Sequence, residues 1–132
     1  MANLMADAER NAAADALAAR ITHLSLHTAS PSTTGANEAT GGSPAYARKA
    51  VTFNAAGAAG PLGSTLQPAT VGVAWSSEVT FDVAAGSYTH WGSWSASTAG
   101  TFRQGNTLSA TQSPGSQGQI KHSVGIGPVS GA

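Results

Sequence analysis

Four histidines are the side chains of this sequence best suited to metal binding. His23 and His27 are four residues apart, a spacing that would bring their rings together on a helix. They lie, however, in an alternating segment that predicts a strand, where the same spacing separates them by roughly 13 Å, too far to share one ion. The sequence has no cysteine and few carboxylates to complete a coordination shell. We therefore predict no metal site and no cofactor, and we interpret the histidines as solvated or hydrogen-bonded residues of a sheet.

Serines and carboxylates raise the question of hydrolytic chemistry. A serine nucleophile needs a base held against it in a rigid setting such as the G-x-S-x-G elbow, and the serines of this chain lie outside such a motif. Glu78 and Asp82 are four residues apart on one predicted strand, too far to share a proton. Gly41 and Gly42 do not precede the Lys-Ser or Lys-Thr of a phosphate-binding loop. We predict that the protein has no catalytic residues and is not an enzyme.

Three tryptophans are the remaining candidates for a site. Aromatic side chains bury large areas, so in a chain with few large aliphatic residues they must supply much of the packing. Trp91 and Trp94 are predicted to lie on opposite faces of one strand, so that one fills the core and the other lies at a subunit interface. The alternative is a carbohydrate-binding platform that includes Tyr88 and His90.

The composition predicts an ordered domain with a thin core. Leu, Ile, Val and Phe together account for 20 of the 132 residues, about 15%. This fraction is below the roughly 20% at which a chain becomes too poor in apolar residues to bury enough surface. Six basic and six acidic residues balance, whereas disordered chains combine low hydrophobicity with high net charge. Such a domain gains stability from contacts with copies of itself or with a larger assembly. The scattered basic residues argue against a nucleic-acid partner, and the short apolar stretches argue against a membrane partner or a signal peptide.

The order of elements predicted from the sequence is one helix followed by β structure. Residues 1–21 form an Ala-rich helix or arm with Asn3 as its N-cap, acidic residues near its start and Arg20 near its end. From residue 22 to residue 132 the apolar period is two, which predicts a β domain. About seven short antiparallel strands predict a β-sandwich or a small barrel. The expected strand segments are 24–28, 46–53, 71–75, 79–83, 87–96, 101–103, 108–111 and 120–126, with a turn at Gly105-Asn106.

The first predicted strand and the loop that follows it each allow a structural prediction. Leu24, Leu26 and Thr28 should face one side of the sheet, whereas His23, Ser25 and His27 should face the other, as in a sheet with one face in solvent. The long loop 29–44 is either a plain surface connection or a segment ordered by neighbouring molecules. A Gly/Ser-rich segment leads to the C-terminus.

Three motifs resemble a known family. They are LSLHT at 24–28, TGANE at 34–38 and GGSPAYAR at 41–48, with a weaker match at THWGSW, 89–94. These motifs resemble the small virion structural proteins of tailed actinobacterial bacteriophages, which include minor tail, tail-fibre-like and capsid decoration proteins. The resemblance covers roughly residues 21–108. It implies assembly rather than catalysis.

The function expected from this resemblance is that of a non-enzymatic virion structural protein. We expect a capsid-associated decoration or minor capsid protein that stabilises the particle surface, because a short neutral domain suits many symmetric contacts. The alternative is a minor tail or tail-fibre protein that binds a receptor or glycan. The expected partners are copies of this chain, with a trimer favoured, and the phage major capsid protein or tail proteins, in a virion assembled in the host cytoplasm. Candidate interface residues are Leu4, Leu17, Asn37, Glu38, Tyr46, Arg48, Trp91 and Trp94.

Overall fold

The protein is described here by a computed structural model that covers residues 4–128. Within that range all strand pairs are antiparallel. The prediction of a mainly β chain with one N-terminal helix is confirmed, and the antiparallel sheets are consistent with a small β-sandwich. The elements are α1 (Asp7–Ala18), β1 (His23–His27), β2 (Lys49–Ala50), β3 (Ala74–Trp75), β4 (Val79–Val83), β5 (Tyr88–Trp94), β6 (Phe102–Gln112), β7 (Gly118–His122) and β8 (Gly125–Ile126).

The described residues form two compact units. Unit 1 consists of residues 4–20, 52–78 and 123–128, and unit 2 consists of residues 21–51 and 79–122. The division predicted from the sequence, an arm at 1–21 and a β domain at 22–132, stays a prediction.

Unit 1 packs α1 against the short β3–β8 pair. The helix is shorter than predicted, and its N-cap position is Ala6, which makes no side-chain hydrogen bond; Asn3 lies outside the described residues. Ala14 is fully buried, since small side chains allow a helix to approach its neighbours closely. The Asn11 side chain accepts a hydrogen bond from the Gly72 N–H at 2.8 Å, and Asp15 accepts one from the Ala56 N–H at 2.8 Å.

Unit 2 contains a four-stranded sheet with the order β2-β1-β5-β6 and the separate pair β4–β7. In β4 the predicted alternation is confirmed, because Val79, Phe81 and Val83 are buried and the residues between them are half-buried. The Phe81 ring stacks on Tyr46 with centroids 6.1 Å apart.

Several strand boundaries differ from those predicted. The expected strand at 46–53 is reduced to β2, and the one at 71–75 to β3. The alternating segment 120–126 is divided, so that its first part pairs with β4 and its last part pairs with β3. Periodicity identifies these segments as extended but does not contain the information about their pairing partners.

The turn predicted at Gly105-Asn106 is wrong, because both residues lie inside the continuous strand β6. Gly105 is opposite Gly92 of β5. A Cβ on Gly105 would lie 2.6 Å from the Trp91 carbonyl oxygen and 2.9 Å from Cγ of Pro31. Glycine is needed here for close approach within the sheet rather than for a turn.

Gly105→Ala should lower the free energy of unfolding by about 2 kcal/mol, because the new methyl group overpacks against backbone that cannot easily move. Gly115→Ala is the matched control, since a Cβ at Gly115 meets no atom within 4 Å. Urea denaturation of both variants measures the difference. Equal stabilities for the two variants would contradict the close approach of β5 and β6.

Candidate functional site

The charged centre of unit 2 is an ion pair between Arg48 and Glu38. Nε of Arg48 donates to Oε2 of Glu38 at 2.9 Å, and Nη2 donates to Oε1 at 2.9 Å. The Arg48 side chain is 8% exposed and that of Glu38 is 22% exposed. Two parallel bonds between a planar guanidinium and a carboxylate make this a strong, orientation-specific contact.

Both partners are positioned by the backbone of β1. Glu38 forms an isolated antiparallel bridge with His27, at the end of β1. Arg48 directly precedes β2, whose Lys49 is opposite Leu24. The segment 28–48 therefore leaves β1 and returns to it, and the ion pair joins its two ends.

Tyr46 strengthens this closure. Its hydroxyl donates to Oε2 of Glu38 at 2.9 Å and accepts a hydrogen bond from the Leu26 N–H at 3.1 Å. Burial raises the pKa of Tyr46 well above its ordinary value, and the neighbouring Glu38 carboxylate acts in the same direction. Tyr46 is therefore a neutral phenol that can donate to the carboxylate.

The Arg48 guanidinium also covers Trp94. Its Cζ lies 3.6 Å from the centroid of a Trp94 ring, which is a cation–π contact. Nη1 donates to the carbonyl oxygens of Ala96 at 3.1 Å and Ala99 at 2.8 Å. One side chain thus connects the loop after β1 to the loop after β5.

A chain of buried hydrogen bonds continues on the other side of Trp94. The indole Nε1 donates to Oγ of Ser25 at 2.8 Å, Oγ of Ser25 lies 2.7 Å from Nε2 of His27, and Nδ1 of His27 lies 2.7 Å from the Ala36 carbonyl oxygen. A carbonyl oxygen can only accept, so Nδ1 carries a proton. The geometry therefore places a proton on Nδ1 of His27.

The lowered pKa of His27 favours the neutral ring, whose Nε2 accepts a hydrogen bond from the Ser25 hydroxyl. Burial is the largest effect and lowers the pKa of His27 below its ordinary value. The charges of His90 and Arg48 act in the same direction, whereas the Ala36 hydrogen bond and the Glu38 charge oppose it. Gly92 makes room for the same polar groups, because a Cβ there would lie 2.6 Å from both Nε2 of His27 and Oγ of Ser25.

The expectation that one face of β1 lies in solvent is wrong. Ser25 and His27 are completely buried. The segment 28–48 covers their face of β1, and the hydrogen bonds to Trp94 and Ala36 satisfy the polar atoms that this burial removes from water. The alternating pattern of β1 does not indicate that Ser25 and His27 belong to the site. Gly92, which is opposite Ser25 on β5, is the signal in the sequence, because a glycine in a strand indicates close approach of a neighbouring group.

Four of the sequence-predicted residues meet in this cluster: Glu38, Tyr46, Arg48 and Trp94. Asn37 is exposed beside it, with a φ of 63° and its side-chain amide bonded to the Ser30 carbonyl oxygen at 2.9 Å. Trp91 lies on the neighbouring part of β5 and is 6% exposed. In unit 1, Leu4 is 98% exposed, whereas Leu17 is half-buried. An interface role for these residues stays a prediction.

The proposed aromatic platform on β5 does not match the geometry. Tyr88, Trp91 and Trp94 are all at least 92% buried. The open surface beside the cluster is a shallow depression of about 310 Å³, lined mainly by apolar atoms and including Tyr46, Arg48 and residues 97–99.

Metal and membrane functions receive no support from the described part of the chain. Within residues 4–128, no group of three or more His, Cys, Asp or Glu residues is arranged to hold a metal ion. The helix found in the same range is too short and too polar to cross a membrane.

These observations define a class: a β protein whose buried polar cluster around Arg48 is bonded internally as a structural network. A family model described as Podophage GP4 fiber I protein gp80 matches residues 1–126. The chain belongs to this family and is a bacteriophage virion structural protein. Comparisons with curated proteins and with solved structures give no significant match.

The family description refines the expectations drawn from the sequence. It describes a fibre protein, so it favours the tail-fibre alternative over the capsid-associated function that we expected first. It names a podophage, and an actinobacterial host stays a prediction.

Arg48→Met should lower the free energy of unfolding by about 3 kcal/mol. The change keeps an apolar stem but leaves Glu38 without its opposite charge, and the Ala96 and Ala99 carbonyl groups without the Arg48 donor, in a largely buried setting. Lys49→Met is the matched control: its ion pair with Asp82 spans 4.0 Å between partly exposed groups, and its loss should cost about 0.5 kcal/mol. Thermal or urea unfolding measures both. Similar losses for the two variants would show that the Arg48 network has no special role.

Folding should become less favourable as the pH falls from about 6.5 to 4. Burial lowers the pKa of His122 to about 4 and that of His27 in the same direction. In this range the unfolded chain binds protons that the folded chain does not, whereas above pH 6.5 the contribution is complete and constant. The half-buried His122 should account for about 2 kcal/mol of the loss.

His122→Phe tests this assignment, because it keeps a ring and removes the titrating group. Urea denaturation at several pH values should give a shallower dependence for the variant than for the unchanged protein. Superimposable curves would exclude His122 as a source of acid sensitivity.

Proposed function

We propose that this protein is a component of a phage tail fibre and acts by assembly rather than catalysis. The observation that carries the proposal is the fibre-protein family match over residues 1–126. Because this match includes both units and nearly the whole chain, it supports a role for the entire described fold.

The geometry of unit 2 supports a structural role. The ionisable side chains of the cluster are Arg48, Glu38, Tyr46 and His27. Each of them is hydrogen-bonded within the network. A general base or a nucleophile needs an unshared lone pair directed at a substrate. In this cluster those lone pairs are directed at internal donors, which stabilise the segment 28–48.

The partners follow from the same proposal. A fibre component must contact other copies of itself or neighbouring tail proteins, and we propose a homo-oligomer, with the trimer favoured, attached to the tail. The protein would be assembled into the virion in the host cytoplasm. A receptor or glycan contact would have to use surfaces other than the buried aromatic rings of β5.

Quantitative mass spectrometry of purified particles, together with immunogold labelling, tests the location. A tail fibre predicts a few to a few dozen copies per particle and gold label at the tail, because tail symmetry offers few positions. Copy numbers in simple ratio to the major capsid protein, with label over the head, would instead support capsid decoration. Absence from the particles would overturn the proposal.

A further inference from the structure

Exposed large apolar side chains are concentrated in unit 1. Among residues 4–128 they are Leu4, Met5, Leu62 and Leu66, and all four belong to that unit. Leu66 is 71% exposed and Leu62 is 40% exposed. Two exposed leucines on one short loop, in a chain with only seven leucines, form an apolar surface that needs an explanation.

The loop that carries them, residues 60–67, has an internally bonded backbone. The Gly60 N–H donates to the Gln67 carbonyl oxygen at 2.9 Å, and the Gln67 N–H donates to the Gly63 carbonyl oxygen at 2.8 Å. The Leu62 N–H donates to Oε1 of Gln67 at 3.0 Å. We call residues 60–67 the Leu66 loop.

Gln67 anchors this loop to the rest of unit 1. Gln67 is 4% exposed, and its Nε2 donates to Oγ of Ser123 at 2.8 Å. Ser123 in turn donates to the Ser76 carbonyl oxygen at 2.6 Å. The loop is therefore ordered before any partner binds, so that docking would lose little conformational entropy.

The charges of the two units indicate what the loop contacts. Unit 1 contains four acidic and two basic residues, whereas unit 2 contains two acidic and four basic residues. Opposite net charges favour the approach of unit 1 of one molecule to unit 2 of another. Unit 2 also contains the depression of about 310 Å³ beside Arg48, whose lining is mainly apolar.

We propose that the Leu66 loop of one copy docks into the depression beside Arg48 on unit 2 of a second copy. Leu66 and Leu62 bury apolar surface there, and the opposite charges of the two units orient the approach. The contact joins different surfaces of the two copies, and such a head-to-tail contact closes a ring such as the expected trimer when each step is a threefold rotation. This proposal does not depend on whether the virion position is tail or capsid.

The first test compares Leu66→Ser with Leu66→Met in the full-length protein by analytical ultracentrifugation. We expect the unchanged protein and Leu66→Met to associate equally, and Leu66→Ser to dissociate at concentrations at least tenfold higher. Circular dichroism should show the same fold for all three. A monomeric unchanged protein, or equal association of the serine variant, would overturn the proposal.

The second test separates the two contacting surfaces. Thr98→Trp should fill the depression and weaken association while leaving the Leu66 loop intact. Mixing it with Leu66→Ser should restore pairing between the two variants, because each retains one of the two surfaces. Failure of the mixture to pair, while each variant stays folded, would exclude this contact in favour of another surface or another virion protein.

Discussion

The Arg48 guanidinium is the group on which unit 2 depends. It binds the Glu38 carboxylate through two hydrogen bonds, binds the carbonyl groups of Ala96 and Ala99, and covers the ring of Trp94. These contacts connect the long segment after β1 with the loop after β5. A fork of fixed geometry can make them together, whereas the point charge of a lysine could not. The sheet and the segment that covers it are thus joined through one side chain.

Holding a long loop by hydrogen bonds and an ion pair suits a chain with few aliphatic residues. A larger core would hold a long loop by burying leucine and isoleucine, but only 20 residues of this chain are Leu, Ile, Val or Phe. Here the loop is held by bonds among Glu38, Tyr46, Arg48 and the Ser25–His27 pair. Burying these groups would be costly if any polar atom were left without a partner, so the network is specific as well as stabilising. It favours one arrangement of the segment over the many that glycine and serine would allow.

The sequence pattern is sufficient to predict the local helix and strands, but not which strands pair or which side chains come into contact. The alternation at Val79, Phe81 and Val83 predicted β4 correctly, and the Ala-rich start predicted a helix. The fate of residues 120–126 and the burial of His27 depend on contacts distant in sequence, which period and propensity do not contain. Gly105-Asn106 is a favourable turn pair by residue type. In the structure it lies inside β6, where Gly105 is opposite Gly92. Glu38, Tyr46 and Arg48 are candidates from the sequence alone, but their mutual hydrogen bonds depend on how the segment 28–48 returns to β1, which spacing along the chain does not contain.

The two units distribute their polar and apolar groups differently, and this bears on how an assembly protein can be stable before it assembles. Unit 2 places its hydrogen-bonded cluster and the rings of Trp91 and Trp94 inside. Unit 1 instead holds Leu62 and Leu66 in solvent on a loop whose backbone is bonded through Gln67. Solvent-exposed leucines gain free energy only when another surface covers them. An assembly protein with exposed leucines on an internally bonded loop retains a driving force for association after it has folded.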